Sequence, residues 1–171
     1  MNDSAARVSV TRTYLELFPA AAPSSFAVNG VSLERLCVED GARYLSLYRD
    51  VGAPHHWTDR ADWTEARAAE HLVRTDVSVF ALREGEDAGF FELVTGADGS
   101  VEIAYLGLVP SYVGRGLGRA LLEAAIAEAH RAGPARVWLH TCTLDHAAAL
   151  PNYLARGFRP FREETYQVEA I

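Results

Sequence analysis

The sequence predicts a mixed α/β fold in which a mostly antiparallel sheet is flanked by helices. Alternating apolar residues indicate strands, apolar residues at helical spacing indicate helices, and short glycine-containing turns join the strands in the middle of the chain. The length of 171 residues fits one domain. A hydrophobic fraction of 49% and a charged fraction of 23% are typical of a folded globular protein.

The first half of the chain is predicted to hold two strands followed by two helices. Residues 8–18 and 31–37 have strand patterns, and the segment from Pro19 to Gly30 between them is predicted to be a long hairpin connection. Asp40 is the predicted N-cap of a helix that ends at Gly52. A second helix is predicted near residues 62–75.

The second half alternates more tightly between strands and helices. Short turns between three consecutive strands predict an antiparallel meander, and a later strand–helix–strand unit predicts a parallel pair. The predicted strands are residues 77–83, 88–95, 100–109, 136–141 and 158–168, and the predicted helices are residues 116–132 and 145–156.

Composition excludes several kinds of chemistry. All 16 basic residues are arginine, so no lysine Schiff base and no P-loop lysine can be built from this chain. A net charge of -7 argues against a nucleic-acid-binding surface. Two cysteines, no signal-like start and no apolar run of about 20 residues predict a cytoplasmic protein without a membrane span.

A glycine-rich segment, Gly114-Arg115-Gly116-Leu117-Gly118-Arg119, lies between a predicted strand and a predicted helix. Glycine backbones allow an anion to approach closely, and the free N–H groups of a helix N-terminus attract it. The segment is not a dinucleotide fingerprint, because Arg119 stands where the last glycine would be required. The segment therefore predicts a phosphate-binding loop.

Two motifs then resemble those of the GCN5-related N-acetyltransferase (GNAT) superfamily. The run Glu-Ile-Ala-Tyr-Leu-Gly-Leu-Val-Pro-Ser-Tyr-Val-Gly-Arg-Gly-Leu-Gly at 102–118 is similar to the family's fourth strand and pyrophosphate loop. The pattern Ala-x-x-x-Tyr-x-x-x-Gly-Phe at 149–158 is similar to its closing motif. The resemblance covers residues 77–168 and departs from the family pattern at Val113, where Arg or Gln is usual.

This resemblance implies a fold and an activity. Strands four and five of the family, here residues 100–109 and 136–141, would splay apart within a twisted sheet. Residues 1–171 would form one domain, with acceptor-side elements in 1–76 and the acetyl-CoA-binding core in 77–168. The implied activity is transfer of an acetyl group from acetyl-CoA directly to a primary amine of a small molecule or peptide, without a metal. The alternative is a catalytically weak acyl-CoA-binding regulatory domain, and homodimerisation is left open.

The resemblance and elementary chemistry together assign catalytic roles. Tyr153 is the expected general acid for the leaving thiolate, because a phenol keeps its proton at neutral pH. The Leu108 N–H is the expected oxyanion donor. Glu102 is the expected general base, because the period of two along the strand puts it, six residues before Leu108, on the same face. Glu92 on the neighbouring strand is the alternative base.

The remaining site residues fall into two groups. Trp57 and Arg60 are expected to line the acceptor cleft, although packing of Trp57 under its loop and an ion pair of Arg60 with Asp59 or Asp62 would be equally ordinary. The expected coenzyme-binding residues are Leu108, Val109, Val113, Gly114, Arg115, Gly116, Leu117, Gly118, Arg119 and Tyr153.

The end of the predicted strand at 136–141 and the residues after it raise two further possibilities. A metal site would need ligands from His140, Cys142, Asp145 and His146, with His55 and His56 adding to them, but the spacing matches no zinc pattern. Cys142 could act as a nucleophile, with His140 or His146 as its base. Direct attack by the amine makes a cysteine nucleophile unnecessary, and the family that the chain resembles needs no metal.

Overall fold

A computed structural model describes residues 7–18 and 28–169. It contains seven strands and four helices of at least seven residues within these ranges. In chain order they are β1 (Arg7–Leu17), β2 (Ser32–Arg35), α1 (Gly41–Gly52), α2 (Glu65–Leu72), β3 (Val77–Glu84), β4 (Glu86–Thr95), β5 (Val101–Leu108), α3 (Leu117–Arg131), β6 (Val137–Cys142), α4 (Ala149–Ala155) and β7 (Arg159–Glu169).

The strands form one sheet in the order β2-β3-β4-β5-β6-β1-β7. The meander β3-β4-β5 is antiparallel, and β6 joins β5 in parallel after the crossover through α3. The predicted mixed α/β fold, with its meander and its parallel pair, is confirmed. No helix within residues 7–18 and 28–169 is long and apolar enough to cross a membrane.

The predicted hairpin between the first two strands is wrong. β1 pairs with β6 and β7, whereas β2 pairs with β3 at the opposite end of the sheet. Most of the connecting segment, residues 19–27, lies outside the described residues. The sequence pattern identifies each strand correctly, but it carries no information about which distant strand will satisfy its backbone groups.

Each face of the sheet carries its own helices and its own core. Tyr44, Tyr48 and Val51 of α1 recur at helical spacing and pack with α2 against one face. We call this the α1/α2 face. Leu121 and Leu122 of α3 pack against the other, which we call the α3/α4 face because Tyr153 of α4 joins the same core.

The predicted N-cap of α1 is confirmed in position, whereas α4 begins later than predicted. Asp40 is the N-cap residue of α1, but its carboxylate accepts hydrogen bonds from the N–H and Sγ of Cys37. α4 begins at Ala149, later than predicted, because the Asp145 carboxylate accepts hydrogen bonds from Thr141 Oγ1 and Cys142 N–H in the turn that follows β6. A polar side chain that bonds to its local backbone competes with helix formation.

β5 contains an irregularity that determines where its side chains point. Glu92 lies opposite Tyr105, but the next residue, Leu93, lies opposite Ile103, so Ala104 is an extra residue on β5. Such a β-bulge shifts the alternation of side chains by one position. Even-numbered residues before Ala104 therefore point to the same face of the sheet as odd-numbered residues after it.

Candidate active site

A gap in the sheet is the central feature of the site. β5 and β6 pair only through Val101–Val137 and Glu102–Trp138, and beyond this point the two parallel strands separate. The implied splaying of these two strands is confirmed. A cavity of about 1290 Å³ fills the gap and reaches both faces of the sheet, lined among others by Glu102, Leu108, Gly116, His140 and Tyr153.

Backbone N–H groups of β5 point into this gap. The Val109 N–H donates to the Ala88 carbonyl of β4 at 2.9 Å. Because successive N–H groups of a strand point to opposite edges, the Leu108 N–H points away from β4 and towards the separated β6. The Leu106 N–H points the same way by the same alternation. β5 thus presents two donors to the cavity.

The glycine loop begins at the end of β5 and leads into α3. Gly114 and Gly116 have φ angles of +84° and +81°, a left-handed conformation that is costly for any residue with a Cβ. Gly116 is the N-cap residue of α3, and both glycines line the cavity. The first turn of α3 therefore directs its free N–H groups towards an open, side-chain-free surface.

The side chains around the loop divide between the cavity and other contacts. Val113, Gly118 and Arg119 line the cavity, whereas Val109, Arg115 and Leu117 do not. Arg115 is exposed, stacks over Tyr112 and pairs with Glu84 at 3.3 Å. Arg119 pairs with Glu123 at 2.9 Å. Leu117 is buried in the core, so only its backbone is available to a ligand.

Tyr153 projects from α4 to the wall of the cavity. It is 7% exposed and packs edge-on against Phe158, with 6.1 Å between ring centroids. Burial, with a smaller effect from the charge of Asp145, raises the pKa of the Tyr153 phenol above its ordinary value. The phenol therefore remains protonated at neutral pH.

Glu102 and Leu108 do not share a face of the sheet, contrary to expectation. Glu102 lies opposite Val94, which packs on the α1/α2 face, and Leu108 lies opposite Gly89 and packs on the α3/α4 face. The bulge at Ala104 causes the difference. Glu102 lines the cavity, and burial together with the charge of Glu92 raises the pKa of its carboxyl.

Glu92, the alternative base, is enclosed in a hydrogen-bonded network. Its side chain is 0% exposed and accepts four hydrogen bonds, from Tyr44, His71 and both Nη atoms of Arg60. Burial alone would raise the pKa of this carboxyl, but the hydrogen bonds from His71 and Arg60 lower it below its ordinary value. Both carboxylate oxygens are engaged, so Glu92 is poorly suited to accept a proton from a substrate.

Arg60 is the partner that fixes this carboxylate. Its guanidinium also lies over the rings of Trp63 and Tyr105, at 4.6 and 4.5 Å from their centroids. The ordinary alternative, an ion pair with Asp59 or Asp62, is replaced by this buried pair with Glu92. Arg60 touches the cavity, but its charge is already neutralised by Glu92 and is not available to an acceptor.

An aromatic wall closes the cavity on the α1/α2 face. Trp57 packs edge-on against Tyr105, with 5.0 Å between ring centroids, and both residues line the cavity. The Tyr105 hydroxyl donates to Asp59 at 3.0 Å. His55 Nδ1 lies 3.2 Å from the Leu144 carbonyl, so the loop after α1 contacts the segment after β6 across the mouth of the gap.

β6 contributes His140 and Cys142 to the same face. Trp138 lies beside Glu102, and the alternation along β6 places His140 and Cys142 with them. Burial, then the charge of Arg12, lowers the pKa of the His140 imidazole, which keeps it neutral at pH 7. Within residues 7–18 and 28–169, no group of three or more His, Cys, Asp or Glu side chains is placed to hold a metal ion.

Sequence reasoning missed three groups of this cavity. The Leu106 N–H, the Tyr105 side chain and the Arg12 side chain all depend on strand pairing between distant segments. The alternation of apolar and polar residues in residues 8–18 indicates that Arg12 lies on a strand. Nothing in the sequence indicates which strand lies beside it.

Comparison with known proteins identifies the family. The model of the Acetyltransferase (GNAT) family matches residues 37–158. An uncharacterised N-acetyltransferase of Mycobacterium tuberculosis (strain ATCC 25618 / H37Rv) is 32% identical over 117 residues, which are 64% of this chain and 75% of that protein. The chain therefore belongs to the GNAT family, and it is an acetyltransferase.

Two further proteins are similar over most of the chain. A mycothiol acetyltransferase of Sanguibacter keddieii (strain ATCC 51767 / DSM 10542 / NCFB 3025 / ST-74) is 33% identical over 149 residues, covering 82% of this chain but only 47% of that protein. The PaiA N-acetyltransferase of Thermoplasma acidophilum, solved in complex with coenzyme A, has the same fold, with a TM-score of 0.62 at 18% identity, covering 80% of this chain and 99% of that chain.

Proposed function

We propose that this protein transfers an acetyl group from acetyl-CoA directly to a primary amine. The gap between β5 and β6 carries the proposal, because it combines unpaired strand N–H groups with a glycine loop and a protonated tyrosine in one cavity. Acetyl-CoA supplies the thioester, and the protein supplies anion-binding groups, orientation and proton transfer.

The donor side of the site is built by β5, α3 and α4. The left-handed glycines and the first turn of α3 suit the pyrophosphate of coenzyme A, since they offer backbone N–H groups and no side chains. The Leu108 N–H, with that of Leu106 beside it, donates to the oxyanion that develops on the thioester carbonyl. Arg119 adds positive charge at the cavity edge, and Val113 contributes only its backbone and apolar contact.

The acceptor side lies on the α1/α2 face, where Trp57 and Tyr105 form the wall. An alkylamine is protonated at pH 7, so a base must remove a proton before or during attack. Glu102 receives this proton, directly or through a water molecule. The amine nitrogen then forms a bond to the carbonyl carbon, and the carbon–sulfur bond breaks as Tyr153 gives its proton to the departing thiolate. The nitrogen loses its second proton as the amide forms, and this proton returns Tyr153, through solvent, to the phenol form.

A catalytically weak acyl-CoA-binding domain is the second candidate, since such a domain needs only the phosphate-binding glycine loop. A screen of amines with acetyl-CoA separates the two. Thiol release that requires an amine supports the acetyltransferase. Binding of acetyl-CoA without turnover, for every amine tested, supports the binding domain and contradicts the proposed function.

A further inference from the structure

Three of the four arginines that line the cavity have a partner of opposite charge among the described residues. Arg60 pairs with Glu92, Arg74 with Asp76, and Arg119 with Glu123. Arg12 is different, because no carboxylate in residues 7–18 or 28–169 lies within salt-bridge distance of its guanidinium. It is a cavity-lining cation without a counter-ion in this part of the chain.

Local contacts hold Arg12 without neutralising it. Its Nη2 donates to the Tyr166 hydroxyl at 3.3 Å, and the guanidinium lies over the Tyr166 ring at 5.2 Å from the centroid. The Nε atom is buried and has no hydrogen-bond partner. Glu164 lies directly across the strand pair, but its carboxylate is occupied by Tyr14 and Arg162. These contacts therefore hold the guanidinium in place, and some of its N–H donors have no acceptor among the described residues.

The position of Arg12 relates it to the acceptor side of the site. Arg12 lies opposite Cys142 on β6, one side-chain position beyond His140 on the same face, or about 7 Å along the strand. Glu102 lies on this face at the closed end of the gap and has no hydrogen-bond partner among the described residues. The cavity thus holds an unpaired carboxyl group and an unpaired guanidinium on one face.

We propose that Arg12 binds a carboxylate of the acceptor, so that the acceptor class is an amine that also carries a carboxylate, such as an amino acid or a short peptide. This inference rests on the proposed function. The planar guanidinium offers parallel N–H donors that match a carboxylate in charge and geometry. The amine of the same molecule lies towards Glu102 and His140, and a neutral or purely cationic amine leaves the Arg12 charge unmatched.

The test compares acids with their amides as acceptors. The panel holds glycine, β-alanine, 4-aminobutanoic acid and alanyl-alanine, the C-terminal amide of each, and putrescine. With acetyl-CoA, the wild-type protein is expected to favour at least one acid over its amide about 10- to 100-fold in kcat/KM. Arg12→Gln is expected to remove this preference, mainly by raising KM for the acid.

Three further variants separate recognition from folding. Arg12→Lys keeps the charge and is expected to retain part of the preference. Tyr166→Phe removes the hydroxyl that bonds to Arg12 and keeps the ring, and it is expected to retain the preference. Arg7→Gln changes an exposed arginine on the same strand, outside the cavity, and should have no effect. Thermal unfolding and calorimetry with acetyl-CoA show whether each variant is folded and binds its donor.

Different results would contradict the role of Arg12 and the proposed function. Acetylation of amides or putrescine as efficiently as of every acid, or a preference for acids that survives in folded Arg12→Gln, overturns the inference and leaves acetyl transfer intact. Failure to acetylate any amine, whether or not acetyl-CoA binds, contradicts the proposed function itself.

Discussion

Arg60 and Glu92 form a buried, bidentate ion pair, with Arg60 Nη1 at 2.6 Å and Nη2 at 2.9 Å from the two carboxylate oxygens of Glu92. The pair joins the loop after α1 to the centre of β4. Because this loop also carries Trp57 and Asp59, the pair holds the aromatic wall of the acceptor side in place.

Replacing Glu92 with Gln is expected to lower the free energy of unfolding by about 3–5 kcal/mol, since the buried Arg60 charge loses its counter-ion. Urea denaturation at pH 7 measures this. Glu84→Gln, which removes an exposed pair with Arg115, should cost no more than about 1 kcal/mol. Equal effects of the two substitutions would show that the buried pair adds nothing to stability.

The ion pair between Arg60 and Glu92 should also make the stability of the protein depend on pH. The pKa of Glu92 is lower in the folded protein than its ordinary value, so its stabilising contribution is present above the ordinary pKa and is lost as pH falls through the folded pKa. The difference in stability between the wild type and Glu92→Gln should therefore shrink in acid. A difference that stays constant down to the acid transition would contradict the lowered pKa.

Gly116→Ala tests the glycine loop. A Cβ at a φ of +81° should cost about 1–2 kcal/mol in stability, and it should also weaken acetyl-CoA binding measured by calorimetry. Gly99→Ala is a matched control, because Gly99 has a φ of +77° but lies outside the cavity. The control should lose similar stability and keep its affinity. Unchanged affinity in Gly116→Ala would remove the loop from the coenzyme site.

Tyr153→Phe tests the general acid. The substitution keeps the ring in the core and removes the proton, so turnover should fall about 10- to 1000-fold while acetyl-CoA affinity changes little. Tyr112→Phe alters a tyrosine that packs against the same core outside the cavity, and its turnover should equal that of the wild type. Full activity of Tyr153→Phe would reduce Tyr153 to a packing role.

Glu102→Gln tests the base. In the wild type, kcat/KM should fall in acid as Glu102 becomes protonated, and its raised pKa moves this fall to a higher pH than an exposed glutamate would give. The variant should lose most activity near neutral pH and recover at high pH, where solvent deprotonates the amine. Glu86→Gln, on the exposed start of β4, should leave the profile unchanged. If the pH profile of kcat/KM is unchanged in Glu102→Gln, water and not Glu102 takes the proton from the amine.

Sequence reasoning succeeded where the chemistry depends on a few neighbouring residues. The glycines from Gly114 to Gly118 predicted a loop before a helix, where Gly114 and Gly116 prove to be left-handed, and the residues around Tyr153 form a compact motif on one helix. The family assigned from these segments is confirmed by the match over residues 37–158. Local spacing is enough for such features because the backbone conformation is fixed by the residues themselves.

Sequence patterns do not predict the features that depend on pairing between distant segments. Ala104 looks like any other strand residue, yet the bulge there moves Glu102 to the opposite face from Leu108. Arg60 pairs with Glu92, in a strand that follows α2, and not with Asp59 or Asp62 of its own loop. β2 is one edge strand of the sheet, whereas β1, its neighbour in the chain, lies between β6 and the other edge strand, β7. Register and long-range contacts are set by packing of the whole molecule, which no short pattern encodes.

Direct transfer is tested most sharply by following the acetyl group itself. Acetyl-CoA labelled with ¹⁴C in the acetyl group is mixed with protein and an acceptor amine, and the label is traced by mass spectrometry and scintillation counting. The account predicts one labelled acetyl group on the amine nitrogen for each thiol released, with no label on the protein. Label on Cys142, or labelled acetate released at the same rate without an amine, would contradict direct transfer.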